Sequence, residues 1–213
     1  GDRRWFLKDP AVSIRAVLAE SRGTIWAATD IGLFRGDQGL FAPVSLSGDG
    51  VEAHAVSTVI TTDVGEYWVG GEEGVWHYAA GTWNRLGGTS QQPAPNRVSA
   101  MFMDNHGLLW VGTRGWGLFA HSRGKWTQIN ESHGLADNYV MGILQDDRGY
   151  LWCSGHRGIF RIMENDTRRL LQRETPQGDQ IQDLFLHLPR KLAEVPSAQL
   201  TYVGQPVNDL LFR

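Results

Sequence analysis

The sequence predicts an all-β protein built from repeated four-stranded sheets, and three observations lead to this fold class. Tryptophans recur every 42 residues, at Trp26, Trp68, Trp110 and Trp152. A glycine precedes each of them by three residues, at Gly23, Gly65, Gly107 and Gly149. Short apolar runs separated by turn signals fill each interval, without an amphipathic helical stretch. A register held over four copies indicates a repeat protein.

Each repeat contains four runs suited to strands. The first begins at an apolar residue, at Ile14, Val56, Val98 or Val140. A D-x-x-G turn follows, clearest at Asp104–Gly107 and Asp146–Gly149, and its glycine supplies the positive φ that tight hairpins need. The second run carries the repeated tryptophan. A second glycine introduces the third run, and the fourth carries another large aromatic residue, at Phe41, Trp83 or Trp126.

These repeats are predicted to be the blades of a β-propeller. The runs are apolar on both faces, so each sheet should be covered on both sides by its neighbours. A four-stranded unit of about 42 residues, packed between copies of itself, is typical of a propeller blade. The repeated tryptophans are therefore interpreted as core residues rather than as a row of ligand-stacking rings. We place the repeats at approximately 12–53, 54–95, 96–137 and 138–180.

A degenerate fifth repeat is predicted in residues 181–213, completed by residues 1–11. It begins with an apolar run at Ile181, and Tyr202 stands in the place of the tryptophan. The run Arg3–Lys8 is expected to supply its missing outer strand, because an unpaired strand edge favours aggregation. Five units account for nearly all of the 213 residues, so we expect one domain that closes with about five blades. The alternative is an arc of a larger propeller.

Composition excludes several classes of protein. A net charge of −3 and a pI near 6.2 give no basic surface for nucleic acid. No apolar stretch reaches the length of a membrane-spanning segment. No metal-ligand spacing or cofactor motif is present, so no cofactor is expected. The single cysteine, Cys153, aligns with Ala27, Val69 and Val111 and is interpreted as a core residue.

The phrase running from Val98 to Phe119 resembles the two-component regulator propeller repeat, and the other copies match it at the tryptophan and both glycines. The resemblance covers about residues 12–170. It implies an extracytoplasmic sensor region of a bacterial hybrid histidine kinase or related signalling protein, with a periplasmic location. It also implies a downstream signalling domain or protein partner, and a ligand that in some members of the family is an oligosaccharide.

Candidate binding residues lie in the loops between the second and third strands, where the copies differ. In a propeller these loops project at one end of the axis, and loops at such positions carry function. Trp116 is an inserted residue that can stack on a sugar ring, and Arg114 and Arg157 can bind anionic groups in a bidentate manner. The full candidate set is Asp30, Glu72, Glu73, Arg114, Trp116, His156 and Arg157. The competing interpretation is that these are solvated loop residues.

Two other functions remain open. A five-bladed hydrolase that cleaves glycans would need two carboxylates on this rim, from Asp30, Glu72, Glu73 or Asp209; because no catalytic motif accompanies them, we expect a non-enzymatic protein. A protein-interaction platform would need an exposed apolar patch. The bulky run Trp76–Tyr78 is the candidate patch, although Trp76 aligns with Phe34, Phe119 and Phe160 and so favours ordinary packing.

Overall fold

The computed structural model describes residues 11–20, 23–37, 40–48, 51–62, 65–90 and 93–163, and the short strands at 186–187, 201–202 and 205–206. In these residues the chain forms four antiparallel four-stranded sheets, each with its strands in sequence order. The one helix of the described part is a 3-10 turn at Glu131–His133. The all-β prediction and the four-stranded repeat are confirmed.

Each sheet is one repeat, and we number the sheets blade 1 to blade 4. Blade 1 contains β1 (Ile14–Ala19), β2 (Ile25–Thr29), β3 (Gly32–Asp37) and β4 (Leu40–Val44). A small hairpin follows, formed by β5 (Ser47–Gly48) and β6 (Val51–Glu52). Blade 2 contains β7 (Val56–Thr61), β8 (Tyr67–Gly71), β9 (Gly74–Ala79) and β10 (Thr82–Arg85).

The second half of the chain repeats this order. Blade 3 contains β11 (Val98–Met103), β12 (Leu109–Thr113), β13 (Leu118–Ser122) and β14 (Lys125–Ile129). Blade 4 contains β15 (Gly142–Gln145), β16 (Tyr150–Gly155), β17 (Gly158–Met163) and β18 (Leu186–His187). A separate pair is formed by β19 (Thr201–Tyr202) and β20 (Gln205–Pro206).

A β-bulge near the start of the first strand recurs in blades 1, 2 and 3. In blade 2 the pairing register shifts between Val56 and Thr58, and the same shift occurs in blades 1 and 3. The extra residue lets two side chains three positions apart point to the same face of the sheet. Val56 and Val59 are consequently both buried on one side of blade 2.

The core lies between consecutive sheets. We call the face that contacts the preceding sheet the leading face, and the face that contacts the next sheet the trailing face. Trp26 and Leu33 on the trailing face of blade 1 cluster with Val56, Val59 and Trp76 on the leading face of blade 2. The same arrangement joins blade 2 to blade 3 and blade 3 to blade 4. Each interface therefore buries one tryptophan of the repeated series.

Three of the four tryptophans predicted to be core positions are buried. Trp26, Trp68 and Trp110 are 5%, 8% and 0% exposed, and Cys153 is 1% exposed. Trp76 is fully buried, which confirms its packing role. Trp152 departs from the series, since it is only half-buried; it lies on the trailing face of blade 4, the last of the four sheets.

The predicted fifth repeat lies mostly outside the described residues. Leu186–His187 pairs with β17 as the outer strand of blade 4, whereas the sequence placed this run in the first strand of the fifth repeat. The physical reason is that residues 164–180 are mostly polar and charged, so the next apolar run completes the sheet edge. Arg3–Lys8 and Leu210–Arg213 lie outside the described residues, and closure with five blades stays a prediction.

Candidate functional site

The candidate site is the end of the blades where the second strand turns into the third. We define the rim as these four loops, residues 29–32, 71–74, 113–117 and 155–158, with the segments that enter each first strand. Backbone hydrogen bonds tie the rim together across blades. Arg97 N–H donates to the Glu72 carbonyl at 2.9 Å, and Arg114 N–H donates to the Arg97 carbonyl at 3.0 Å. The rim loops are thus held to their neighbours through the main chain.

The loop that carries Trp116 is fixed by its backbone. The N–H groups of Gly115 and Gly117 both donate to the Asn138 carbonyl, at 3.1 and 2.8 Å. Trp116 N–H donates to Thr113 Oγ1 at 3.1 Å, and that hydroxyl donates to the Gly117 carbonyl at 2.8 Å. Both glycines have positive φ, 105° and 86°, which a residue with a Cβ adopts only with strain. The Trp116 side chain nevertheless remains 52% exposed.

A row of polar and aromatic side chains crosses three blades on this rim. Arg114 of blade 3 forms an ion pair with Glu72 of blade 2. Arg114 also forms an isolated backbone bridge with Tyr139, at the entry to blade 4. The Tyr139 ring stacks on His156, with centroids 4.0 Å apart and planes inclined by 19°. Four residues that are distant in sequence are therefore contiguous on the rim.

Arg157, one of the predicted binding residues, belongs to a second cluster whose other members, Glu131 and Asp137, were not predicted. Its guanidinium pairs with Glu131 at 3.1 Å, and its backbone N–H donates to Asp137 Oδ2 at 2.8 Å. Asp137 Oδ1 accepts the Tyr139 N–H at 2.9 Å, and the residue is only 3% exposed. Asp137 stands where the earlier repeats have Pro95 and Ala53. A comparison of the copies at this position could have identified it.

The remaining predicted residues serve their own loops. Asp30 Oδ1 accepts the Ser13 N–H at 2.9 Å, which ties the blade 1 loop to its entry segment. The Glu73 carbonyl accepts two hydrogen bonds from Arg85, from Nε at 3.2 Å and from Nη2 at 2.6 Å. The rim thus brings Glu72, Arg114 and His156 into one row, and it leaves Asp30 in a separate contact.

A shallow cavity of about 270 Å³ lies beside blade 1. Its lining includes Phe34, Pro43 and Leu46, with His54 as its imidazole. None of the seven predicted binding residues lines it. It is therefore distinct from the row on blades 2 to 4.

The perturbed titratable groups lie in the strands rather than in the rim loops. Burial lowers the pKa of His121 and raises that of Tyr67, which also donates a hydrogen bond to Glu20 at 2.8 Å. Burial raises the pKa of the Cys153 thiol to about 12. Among the described residues no cluster of three or more His, Cys, Asp or Glu side chains could hold a metal ion. The described part also contains no helix that could span a membrane.

Two of the repeats match a known protein family. The model of the family described as two component regulator propeller matches residues 92–115 and 134–157. Two segments of the chain are thus similar to the two-component regulator propeller repeat. The matched segments include Trp110 and Trp152 and end at residues 115 and 157, so each contains the tryptophan strand and the beginning of its rim loop, and Trp116 lies just beyond the first match. A search of curated protein sequences finds no match.

Solved structures resemble this chain in fold. One is the extracellular domain of the protein described as hybrid two component system BT3049 from B. thetaiotaomicron, with a TM-score of 0.60 and 20% identity over 70% of this chain. The equivalent domain of BT4673, also from B. thetaiotaomicron, has a TM-score of 0.58 and 20% identity over 69% of this chain.

An enzyme with the same architecture is also similar. Virginiamycin B lyase from Staphylococcus aureus has a TM-score of 0.56 and 15% identity, covering 75% of this chain and 55% of its own. This chain spans only 21% of the BT3049 and BT4673 domains. Structural similarity at sequence identities this low shows a shared fold, and activity has to be argued from the site.

Proposed function

We propose that the chain is a non-catalytic ligand-binding module of a bacterial signalling protein, exposed outside the cytoplasm, in the periplasm. Its ligand is an extracellular carbohydrate or another polar small molecule bound at the rim. The observation that carries this proposal is the Trp116 loop. Its backbone is locked by hydrogen bonds, and it presents an indole that is 52% exposed. Packing does not explain why a large aromatic side chain is exposed on a rigid loop.

Rigidity of this loop favours binding. A binding group that is already ordered loses little conformational entropy when the ligand arrives, and affinity rises accordingly. An indole offers a large apolar face with a polar edge. That combination suits the C–H face of a pyranose ring, whose hydroxyls remain available to polar neighbours.

The charge distribution favours a neutral ligand rich in hydroxyl groups over an anionic one. Arg114 is already paired with Glu72, and Arg157 with Glu131. An anion would have to compete with these carboxylates for the guanidinium groups. A hydroxyl can instead donate to a carboxylate and accept from a guanidinium without separating the pair.

The arrangement of carboxylates argues for binding without catalysis. Glycan hydrolysis by the common route needs two carboxyl groups about 5–10 Å apart that act as acid and base or nucleophile. Glu72 is engaged by Arg114, and Asp30 accepts a backbone N–H. Asp209 lies outside the described residues. Because the similar solved structures include a lyase, ligands that bind should also be assayed for turnover.

Thermal unfolding of the chain with neutral, uronic and sulfated oligosaccharides tests the proposal. A ligand at one hundred times its dissociation constant adds about 2.7 kcal/mol to the free energy of unfolding. For a chain of this size the melting temperature should rise by about 5–10 °C. We expect a neutral oligosaccharide to produce this rise.

Two variants make the test specific. Trp116→Ala should weaken binding by about tenfold or more, equivalent to about 1.4 kcal/mol. Leu40→Ala, which removes a side chain that is 80% exposed on the outer strand of blade 1, should bind as the parent does. A flat response from a protein that melts cooperatively, or equal binding by both variants, would contradict the proposed site.

A further inference from the structure

The residue that pairs with the repeated tryptophan on the third strand is a cation in blades 1 and 4. Arg35 lies opposite Trp26, and its Cζ is 5.7 Å from the indole centroid. Arg161 lies opposite Trp152, with its Cζ at 5.5 Å from that indole. A guanidinium within about 6 Å of an indole centroid is attracted to the ring. Because arginine is effectively always protonated, these two tryptophans carry a permanent cation.

Blade 2 has a histidine at this position, where blade 3 has Ala120. His77 lies opposite Trp68 and stacks on it, with ring centroids 3.9 Å apart and planes inclined by 17°. His77 Nε2 also lies 3.1 Å from Glu66 Oε2. An imidazole changes its charge near neutral pH, unlike a guanidinium. A cation on Trp68 is therefore conditional on acidity.

A second histidine approaches Trp68 from the other side of the interface between blades 2 and 3. The His121 ring centroid is 6.0 Å from that of Trp68 and 4.5 Å from that of Trp126, in its own blade. The two imidazoles therefore lie within about one Debye length of each other, about 10 Å at 0.1 M ionic strength. Burial lowers the pKa of His121, and the nearby His77 lowers it further. In the described part of the chain, Glu66 and His121 are the titratable groups that face His77.

We propose that this cluster is a proton switch in the interface between blades 2 and 3, in which His77 takes up the proton and His121 is kept neutral. Protonated His77 gains an ion pair with Glu66 and a cation–π contact with Trp68. Its positive charge then opposes a second proton on His121. Acidification thus changes the charge on one side of this interface in a single step.

The location of the switch links it to the rim. Arg35 keeps its charge at the interface between blades 1 and 2, so that contact cannot respond in the same way. Glu72 and Arg114 of the rim row pair across the same two blades as the switch. The proton is therefore bound between the two blades that hold this ion pair.

Two substitutions fix the two states of the switch. His77→Arg places on Trp68 the permanent cation found in blades 1 and 4, and His77→Gln keeps the position neutral at every pH. His54→Gln is the matched control, because His54 is an exposed histidine outside the cluster. Nuclear magnetic resonance of the histidine rings between about pH 5 and 8 follows the uptake of each proton.

The order and the coupling of the two protonations are the expected results. In the parent chain and in His54→Gln, the His77 resonance should move at a higher pH than the His121 resonance. In His77→Arg, His121 should take up its proton at a pH at least about half a unit lower than in His77→Gln, because a unit charge within about 10 Å opposes protonation.

Tryptophan fluorescence gives an independent measurement, since a protonated imidazole in contact with an indole quenches its emission. The difference between the parent chain and Trp68→Phe should fall as His77 becomes protonated. Neither His77→Arg nor His77→Gln should show this step.

Three results would overturn the proposal. Equal protonation midpoints for His121 in the two His77 variants, with each variant melting cooperatively, would exclude the coupling. A His121 resonance that moves before that of His77 would contradict the assigned proton site, and this order is measured in the parent chain even where a variant fails to fold. A Trp68 signal that does not change with pH would show that the stacked ring stays neutral.

Discussion

Removal of the Asp104 carboxylate is expected to lower the free energy of unfolding by about 3–5 kcal/mol. Oδ1 accepts backbone N–H groups from His106 at 2.9 Å and from Leu108 at 2.8 Å, and Oδ2 accepts the Trp110 indole N–H at 3.1 Å. His106 is exposed, so water can replace its bond. The donors on Leu108 and Trp110 are buried, and each would lose a charged acceptor worth about 1.5–3 kcal/mol.

Chemical and thermal unfolding of Asp104→Ala measure this loss. The melting temperature should fall by about 6–20 °C, at about 2–4 °C for each kcal/mol in a chain of this size. Asn105→Ala changes the exposed neighbour in the same turn and should cost less than about 0.5 kcal/mol. A loss for Asp104→Ala of under about 1 kcal/mol, or one equal to that of the control, would refute the assigned role.

Blade 2 provides the reverse experiment, because Thr62 stands where blade 3 has Asp104. The turn is the same, with Thr62 N–H donating to the Glu66 carbonyl at 3.0 Å. Both Thr62 Oγ1 and the Trp68 indole nitrogen are buried without a hydrogen-bond partner. Thr62→Asp should give the indole an acceptor and raise the free energy of unfolding by about 1 kcal/mol. If this variant were destabilised instead, the carboxylate–indole pair would not be the stabilising element.

Three further predictions concern two groups in the strands and one glycine of the Trp116 loop. Burial lowers the pKa of His121, so the unfolded chain takes up a proton more readily than the folded chain. The free energy of unfolding should therefore fall as pH drops below about 6.5. Denaturant titrations between about pH 7.5 and 6 should show a smaller fall for His121→Gln. A Cβ at Gly117, where φ is positive, would press on the Ile129 carbonyl oxygen, whereas a Cβ at Gly124 would meet only open space. Calorimetry should therefore show that Gly117→Ala lowers the free energy of unfolding by at least about 1–2 kcal/mol more than Gly124→Ala does. The Cys153 thiol, whose pKa burial raises to about 12, should react with an aromatic disulfide reagent in native buffer only at the rate of unfolding.

The strand order was predictable because one interval of 42 residues fixes it. Trp68 and Trp110 occupy the same place in consecutive sheets, so both had to lie at similar interfaces. The β-bulge was not predicted, although its trace is in the sequence. Val56 and Val59 are three residues apart, and only an extra residue in the strand can put both on one face.

The outer strands were less predictable than the inner ones for a physical reason. An edge strand has a neighbour on one side only, so its pattern is less constrained by pairing. β18 illustrates this, because Leu186–His187 belongs to the run from Ile181 that was expected to open a fifth repeat, and it instead pairs with β17 as the outer strand of blade 4. The inner strand β16, with Trp152 and Cys153, was placed correctly by the repeat alone.

Contacts on the rim are less predictable from the repeat than contacts in the core. A core position is set by the spacing between sheets, so the same residue type serves every copy. A rim contact joins residues from two copies and depends on how far each side chain reaches across the gap. Glu72 and Arg114 could both be singled out because they break the repeat, but their pairing follows from the sheet geometry that aligns the two loops. The same argument makes Asp137 the most informative departure: a carboxylate that is 3% exposed replaces Pro95 and organises two backbone N–H groups. Positions where a repeat protein exchanges an apolar residue for a buried charge are therefore the places to look for a binding site before any ligand is known.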